Sequence, residues 1–208
     1  MTLQNRVTPF GEIVDDPARG TMMGNRGVLH DEHRRLGHRR WAHKNWLVCE
    51  VAFRGRRRQV MTPNRYTELF FLDEAVAFAA GHRPCAECRN ADYKRFKALW
   101  MEVFGQSDLK AAEIDDALHA ERAVPFKHAQ RRHEACLEDI PDGAFVVLPA
   151  RPETAWLVWG ARLYPYAPSG YGAPMARAQA GRVRALTPPA TRAVLAAGYR
   201  PRLHGSAG

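Results

Sequence analysis

The chain has 208 residues, 46% of them hydrophobic and 25% charged, which suits one domain or two small ones built on a real core. No apolar run approaches the roughly 18–20 residues of a membrane span, and the opening MTLQNRVTP lacks the apolar stretch of a signal peptide. A cytoplasmic chain with no membrane partner is expected, its four cysteines reduced rather than bridged. The net charge of +9 favours polyanionic partners, nucleic acid first among them.

Residues 1 to 29 are rich in Gly and Pro and read as loops with one short strand. HDEHRRLGHRRWAHK follows, dense in Arg and His around Trp41. WLVCEVAF then alternates, with Leu47, Cys49, Val51 and Phe53 on one face, which is strand periodicity. RGRRR supplies a turn and RQVM a return, so a basic-tipped hairpin is expected. YTELFF reads as a further strand.

LDEAVAFAAG predicts a helix with acidic residues in its first turn, capped by Gly81 and halted by Pro84. From Arg89 the positions of Tyr93, Phe96, Trp100, Val103 and Phe104 trace one helical stripe. Residues 111 to 123 predict a third helix, with GQSD as the break before it. Beyond Pro141-Asp142-Gly143 the chain turns β-like: AFVVL, AWLVWG and RLYPYAP read as strands and SGYGAPMARAQAG as a loop, and the chain closes with RVRALTPP and a short helix, ATRAVLAAG. The fold class expected is α+β, with a zinc-binding module and its basic hairpin over residues 1–105. A helical connector and a β-rich half then occupy 106–208.

The pair Cys85 and Cys88 in GHRPCAEC supports two chemistries. A redox pair requires a βαβ setting, whereas here a helix precedes the cysteines. A zinc knuckle uses the same two-residue gap so that both thiolates reach one ion, and it needs a second half-site. His30 and His33 in LHDEH are the first candidates for that half, with Cys49 able to replace one of them. Cys136, in a helical context, ranks below.

The run FFLDEAVAFAAGHRPCAEC resembles the zinc-binding domain of the Ada DNA-repair (methylphosphotriester) proteins, which carries a strand, a helix and RPCxxC as the second half of its metal site. MGNRGVLHDEH resembles the first half in outline, so the resemblance spans residues 24–90 and leaves residues 106 to 208 uncovered. It implies zinc on Cys85 and Cys88. The Ada site is all cysteine, and this chain has no cysteine pair in the first half. The resemblance therefore implies a structural zinc here without the methyl-accepting thiolate.

Arg34, Arg35, Arg39, Arg40 and Lys44 surround Trp41 and Trp46, and the hairpin tip adds Arg54, Arg56, Arg57 and Arg58, with Arg83 beside the knuckle. Cations interleaved with aromatics suit phosphate contacts and base stacking. Asp115 and His119, one helical turn apart, could form an acid–base pair, and His133 with Glu134 a second. The expected function is that of a zinc-binding, DNA-binding protein in repair or regulation. The alternatives are a metal-containing nucleic-acid-processing enzyme, a nuclease or base-removing hydrolase using His119 or His133, and a protein-interaction domain.

Overall fold

The computed structural model describes residues 2–55, 59–125, 127, 129–177 and 181–208. Strands β1 (Gln4–Val7), β2 (Ile13–Asp15), β3 (Met22–Asn25), β4 (Leu47–Glu50), β5 (Leu69–Phe71) and β6 (Arg83–Pro84) form a sheet ordered β2-β1-β5-β3-β4-β6. The N-terminal stretch expected to hold one strand thus contributes three. Each is only three or four residues long, too short to show a period of two in sequence, and the pairing with β4 and β5 determines them. Gly24 makes one such pairing possible: a Cβ there would lie 2.1 Å from the Leu47 carbonyl oxygen across the β3–β4 ladder.

Strand β4 pairs antiparallel with β3 and parallel with β6. It stops at Glu50, Val51 is 49% exposed, and residues 59–61 of the expected return are not a strand. Arg54 and Gly55 do turn, both with left-handed φ of 50° and 67°. Instead of pairing back, the chain turns inward at Met61, which is fully buried and whose N–H donates to Glu68 Oε2 at 2.8 Å. The tip residues Arg56, Arg57 and Arg58 lie outside the described residues.

Helix α1 (Glu74–Ala79) is buried on every side, and Asp73 caps it by accepting the Val76 N–H at 3.0 Å. Gly81 just beyond it has φ of 81°, as the expected cap requires. Helix α2 (Asn90–Phe104) buries Phe96 and Trp100 and ends at left-handed Gly105, while Val103 and Phe104 at its end are exposed. Helix α3 (Ala111–Arg122) leads into the ribbon of β7 (Ala123–Val124) and β8 (Ala129–Gln130).

The second half is β-rich. Strands β9 (His133–Cys136), β10 (Phe145–Leu148), β11 (Arg151–Trp159), β12 (Arg162–Ala167), β13 (Gly170–Tyr171), β14 (Met175–Ala176) and β15 (Arg182–Ala185) build a sheet ordered β13-β12-β11-β10-β15-β9, with β14 on β12. Helix α4 (Pro189–Ala196) follows. Cys136, expected on a helix, is exposed at the end of β9, because β9 is recruited as the partner of β15.

The architecture is α+β. One core joins the halves, with Phe71, Phe78 and Phe96 in the same cluster as Phe145, Trp156 and Tyr199, and α1 packs on both β5 and β10. Among the described residues no helix is long and apolar enough to cross a membrane.

Candidate metal centre

Three thiols converge where β4, β6 and the N-terminus of α2 meet. The parallel pairing of Leu47 with Arg83 and Val48 with Pro84 sets β6 beside β4, and the Cys85 N–H donates to the Val48 carbonyl at 3.0 Å. That register brings Cys85 alongside Cys49. The chain then turns, with the Arg89 N–H on the Cys85 carbonyl at 3.1 Å, and returns Cys88 to the same point. The sulfurs of Cys49, Cys85 and Cys88 all lie within 4.8 Å of one another. Thiolates on one tetrahedral zinc, each about 2.3 Å from the metal, stand about 3.8 Å apart. The group fits such an ion, and all three cysteines are free of disulfides.

The backbone prepares the sulfurs to be thiolates. Cys88 Sγ accepts the Glu50 N–H at 3.4 Å. Cys85 is brought down to about 5, first by its hydrogen bond with the Cys49 thiol and, against burial, by the N–H groups of Cys88 and Glu87. Cys88 is also lowered, again chiefly through Cys49. Cys49 is pushed far up by its hydrogen bonds to Cys85 and then Cys88 and by burial. Without a metal, Cys49 is the thiol that holds its proton between two readily ionised neighbours. Binding of a thiophilic cation releases that proton. Helix α2, whose N-terminus begins two residues after Cys88, adds its positive dipole end.

Around the cysteines runs a buried ionic network that the sequence did not suggest. The fully buried Arg89 side chain pairs through Nη2 with Glu74 at 2.8 Å and Asp92 at 2.6 Å, and through Nε lies 3.7 Å from Glu50. Arg202, from the far end of the chain, reaches Glu50 and Asp92. Tyr199 donates its hydroxyl to Glu74 at 2.8 Å. These residues hold the segments bearing Cys49 and Cys88 in place. On the open side, a cavity of ≈ 330 Å³ touches all three cysteines and is walled by Phe53, Tyr66 and Phe70.

No family model, curated protein or solved structure matches this chain.

The structure gathers Cys49, the alternative ligand, with Cys85 and Cys88, and places the two histidines elsewhere. His30 is buried with Nδ1 on Thr67 Oγ1 at 2.7 Å and Nε2 on the Thr62 carbonyl at 3.2 Å, so both ring nitrogens are engaged. His33 is exposed beside Glu32. Among the described residues the cluster contains no histidine. Cys49 reads in sequence as a packing residue on an apolar strand face. The β4–β6 pairing, joining residues far apart in the chain, is what sets it beside Cys85.

The other expected sites divide in the same way. Arg83, expected on a nucleic-acid surface, is buried on Asp115 with Nε and Nη2 at 2.8 and 2.7 Å from the two carboxylate oxygens. That pair removes Asp115 from His119, whose ring packs edge-on against Trp41 and Trp46. His133 Nε2 is bonded to the Glu121 carbonyl at 3.0 Å, and Glu134 is exposed on β9 across from Arg184. The acid–base pairs expected of these residues do not form. Trp46 is wholly buried between the guanidiniums of Arg26 and Arg122, at 4.3 and 4.0 Å from its ring, and serves the core.

Arg35, Arg39, Lys44 and Arg54 are exposed, and Arg34, Arg40 and Trp41 are half-buried. Lys44 spans to Asp116 at 2.7 Å and Arg35 lies 3.5 Å from Asp31. Surface pairs of this kind are weak, so these side chains are able to exchange partners.

Proposed function

We propose that the protein is a cytoplasmic zinc-binding protein that engages DNA, in repair or its regulation. The observation that carries the metal is the convergence of Cys49, Cys85 and Cys88. An all-sulfur set of this shape selects zinc over the harder cations. DNA is supported by the net charge of +9 and by the exposed cations of residues 34–54, which follow β3 and flank the cysteine strand β4. Phosphates would replace the weak carboxylate partners of Lys44 and Arg35. The resemblance of residues 24–90 to the Ada zinc domain belongs to the same proposal, with Cys49 in place of the expected histidines.

The third thiolate alters the chemistry expected of the site. Two thiolates and two imidazoles around a zinc dication are neutral, whereas three thiolates leave one negative charge and more nucleophilic sulfurs. A second reading follows from the cavity at the cysteines. Three protein ligands with an open fourth position are the arrangement of catalytic zinc, where a bound water is activated. On that reading the protein processes nucleic acid at the metal.

Zinc analysis of purified protein, combined with a DNA-binding titration at two salt concentrations, tests the first reading. About one zinc per chain and an affinity that falls steeply with salt are expected. Protein purified from zinc-replete medium with no bound metal, or DNA binding indifferent to salt, refutes it. Nicking or base release lost in Cys49→Ser, with binding retained, establishes the second reading.

A further inference from the structure

A second cavity, of ≈ 340 Å³, touches none of the cysteines and is walled by Arg26, Arg40, Arg132, Glu12, Phe10 and Trp41. Arg26 is 1% exposed. Among the described residues none of its three arginines forms an ion pair. They lean on backbone carbonyls instead: Arg26 on Gly11 at 3.0 Å and Ala80 at 3.4 Å, and Arg132 on Phe10 and Arg131. Arg26 Nε also lies 3.4 Å from His82 Nε2. Arg40 donates through Nη1 alone, to Gly37, His38 and Arg39, which leaves Nε and Nη2 for a ligand.

Buried charges are ordinarily paired, and like charges lining the same cavity raise the cost further. Burial, then the neighbouring charge of Arg40, brings Arg26 down to about 9. Burial brings Arg132 down to about 10, with Glu12 opposing and Arg184 adding to the effect. An anion in the cavity relieves both. The aromatic wall is firmly held: the Trp41 ring packs 5.5 Å from Trp46 and 5.9 Å from His119, and Arg132 lies 5.8 Å from the Phe10 ring centre.

Three guanidiniums against one carboxylate leave two positive charges. A phosphate monoester carries about −1.5 to −2 at neutral pH, a closer match than the single charge of a diester. The cavity is at the small end of ligand pockets, which begin at about 300 Å³. We propose that it binds the phosphate monoester of a nucleotide, with Arg26, Arg40 and Arg132 on the phosphate and Trp41 and Phe10 against the sugar and base. The choice of a nucleotide rests on the nucleic-acid reading. The phosphate site does not. A free nucleotide and the phosphorylated end of a strand share this chemistry.

Titration of the full chain with adenosine 5′-monophosphate, adenosine, inorganic phosphate, and oligothymidylate with and without a 5′ phosphate tests the proposal. Monophosphate and 5′-phosphorylated strand should each bind about tenfold tighter than their unphosphorylated forms, as charge-assisted hydrogen bonds require. Arg40→Gln and Arg132→Gln should erase that difference. Glu12→Gln should tighten monophosphate binding several-fold, a gain that misfolding cannot imitate. Equal affinity for adenosine and its monophosphate overturns the inference, and inorganic phosphate binding as tightly as the monophosphate overturns the nucleotide assignment. Strands that bind equally with or without the terminal phosphate, unaffected by Arg40→Gln, overturn the inference while the DNA reading stands. A bound monophosphate, lost in Arg40→Gln, with no strand bound, supports the pocket and refutes DNA.

Discussion

Arg83 lies along Asp115 in a bidentate pair, both side chains more than nine-tenths buried. It joins β6 to α3 directly before Cys85. Removing one partner strands a buried charge, so Arg83→Ala or Asp115→Ala should lower unfolding stability by about 3–5 kcal/mol, read from denaturant midpoints. An effect below about 1 kcal/mol would show that the pair is open to water.

The cysteine cluster predicts that Cys49→Ser, Cys85→Ser and Cys88→Ser each abolish stoichiometric zinc, from about one per chain to near none. Cobalt substitution gives a sharper readout, because sulfur-to-cobalt absorption should appear in the parent and vanish in each variant. Cys136→Ser, remote on β9, should retain it. A Cys49→Ser protein with undiminished metal would show that the site uses only the C-x-x-C pair.

His82 is wholly buried among Phe71, Trp46 and Arg26. Burial first, then the charges of Arg26 and Arg122, hold it well below its ordinary 6.5. As pH falls below about 6.5 the unfolded chain takes up a proton that the folded His82 refuses. The folded state therefore loses up to about 1.4 kcal/mol per pH unit from this group. His43 and His119, also lowered by burial, act in the same direction. Stability measured at pH 7.5 and 5.5 should drop, and His82→Gln should reduce the drop. An identical pH slope in His82→Gln would mean that the imidazole is protonated in place.

If residues 34–54 meet phosphates, Arg39→Ser and Arg54→Ser should each weaken DNA binding at every sequence. Each should reduce the slope of log affinity against log salt by about 0.9. A slope unchanged in both variants would move the interface elsewhere on the chain.

Local signals were legible where one short segment carries the whole cause. The acidic start of α1 at Asp73 and Glu74 and its cap at Gly81 lie within nine residues, and the α2 stripe holds at Phe96 and Trp100. The same signals fail where distant pairing decides. The alternation of Leu47, Cys49, Val51 and Phe53 promised a long hairpin, yet β4 ends at Glu50 because its partners are β3 and β6. His30 and His33 had the spacing of ligands, but the Thr67 hydroxyl occupies the first. Cys49 had no spacing to display. Arg83 looked like a surface cation because its carboxylate lies 32 positions away.

The contacts that Tyr199 and Arg202 make with Glu74 span 125 and 128 positions. During synthesis the sulfur-bearing turn leaves the ribosome long before these partners exist. Non-local closures of this kind form slowly. The nascent thiols consequently pass through an interval of exposure to oxidants and stray cations, and any metal acquired early would be fastened in place only when Tyr199 and Arg202 arrive.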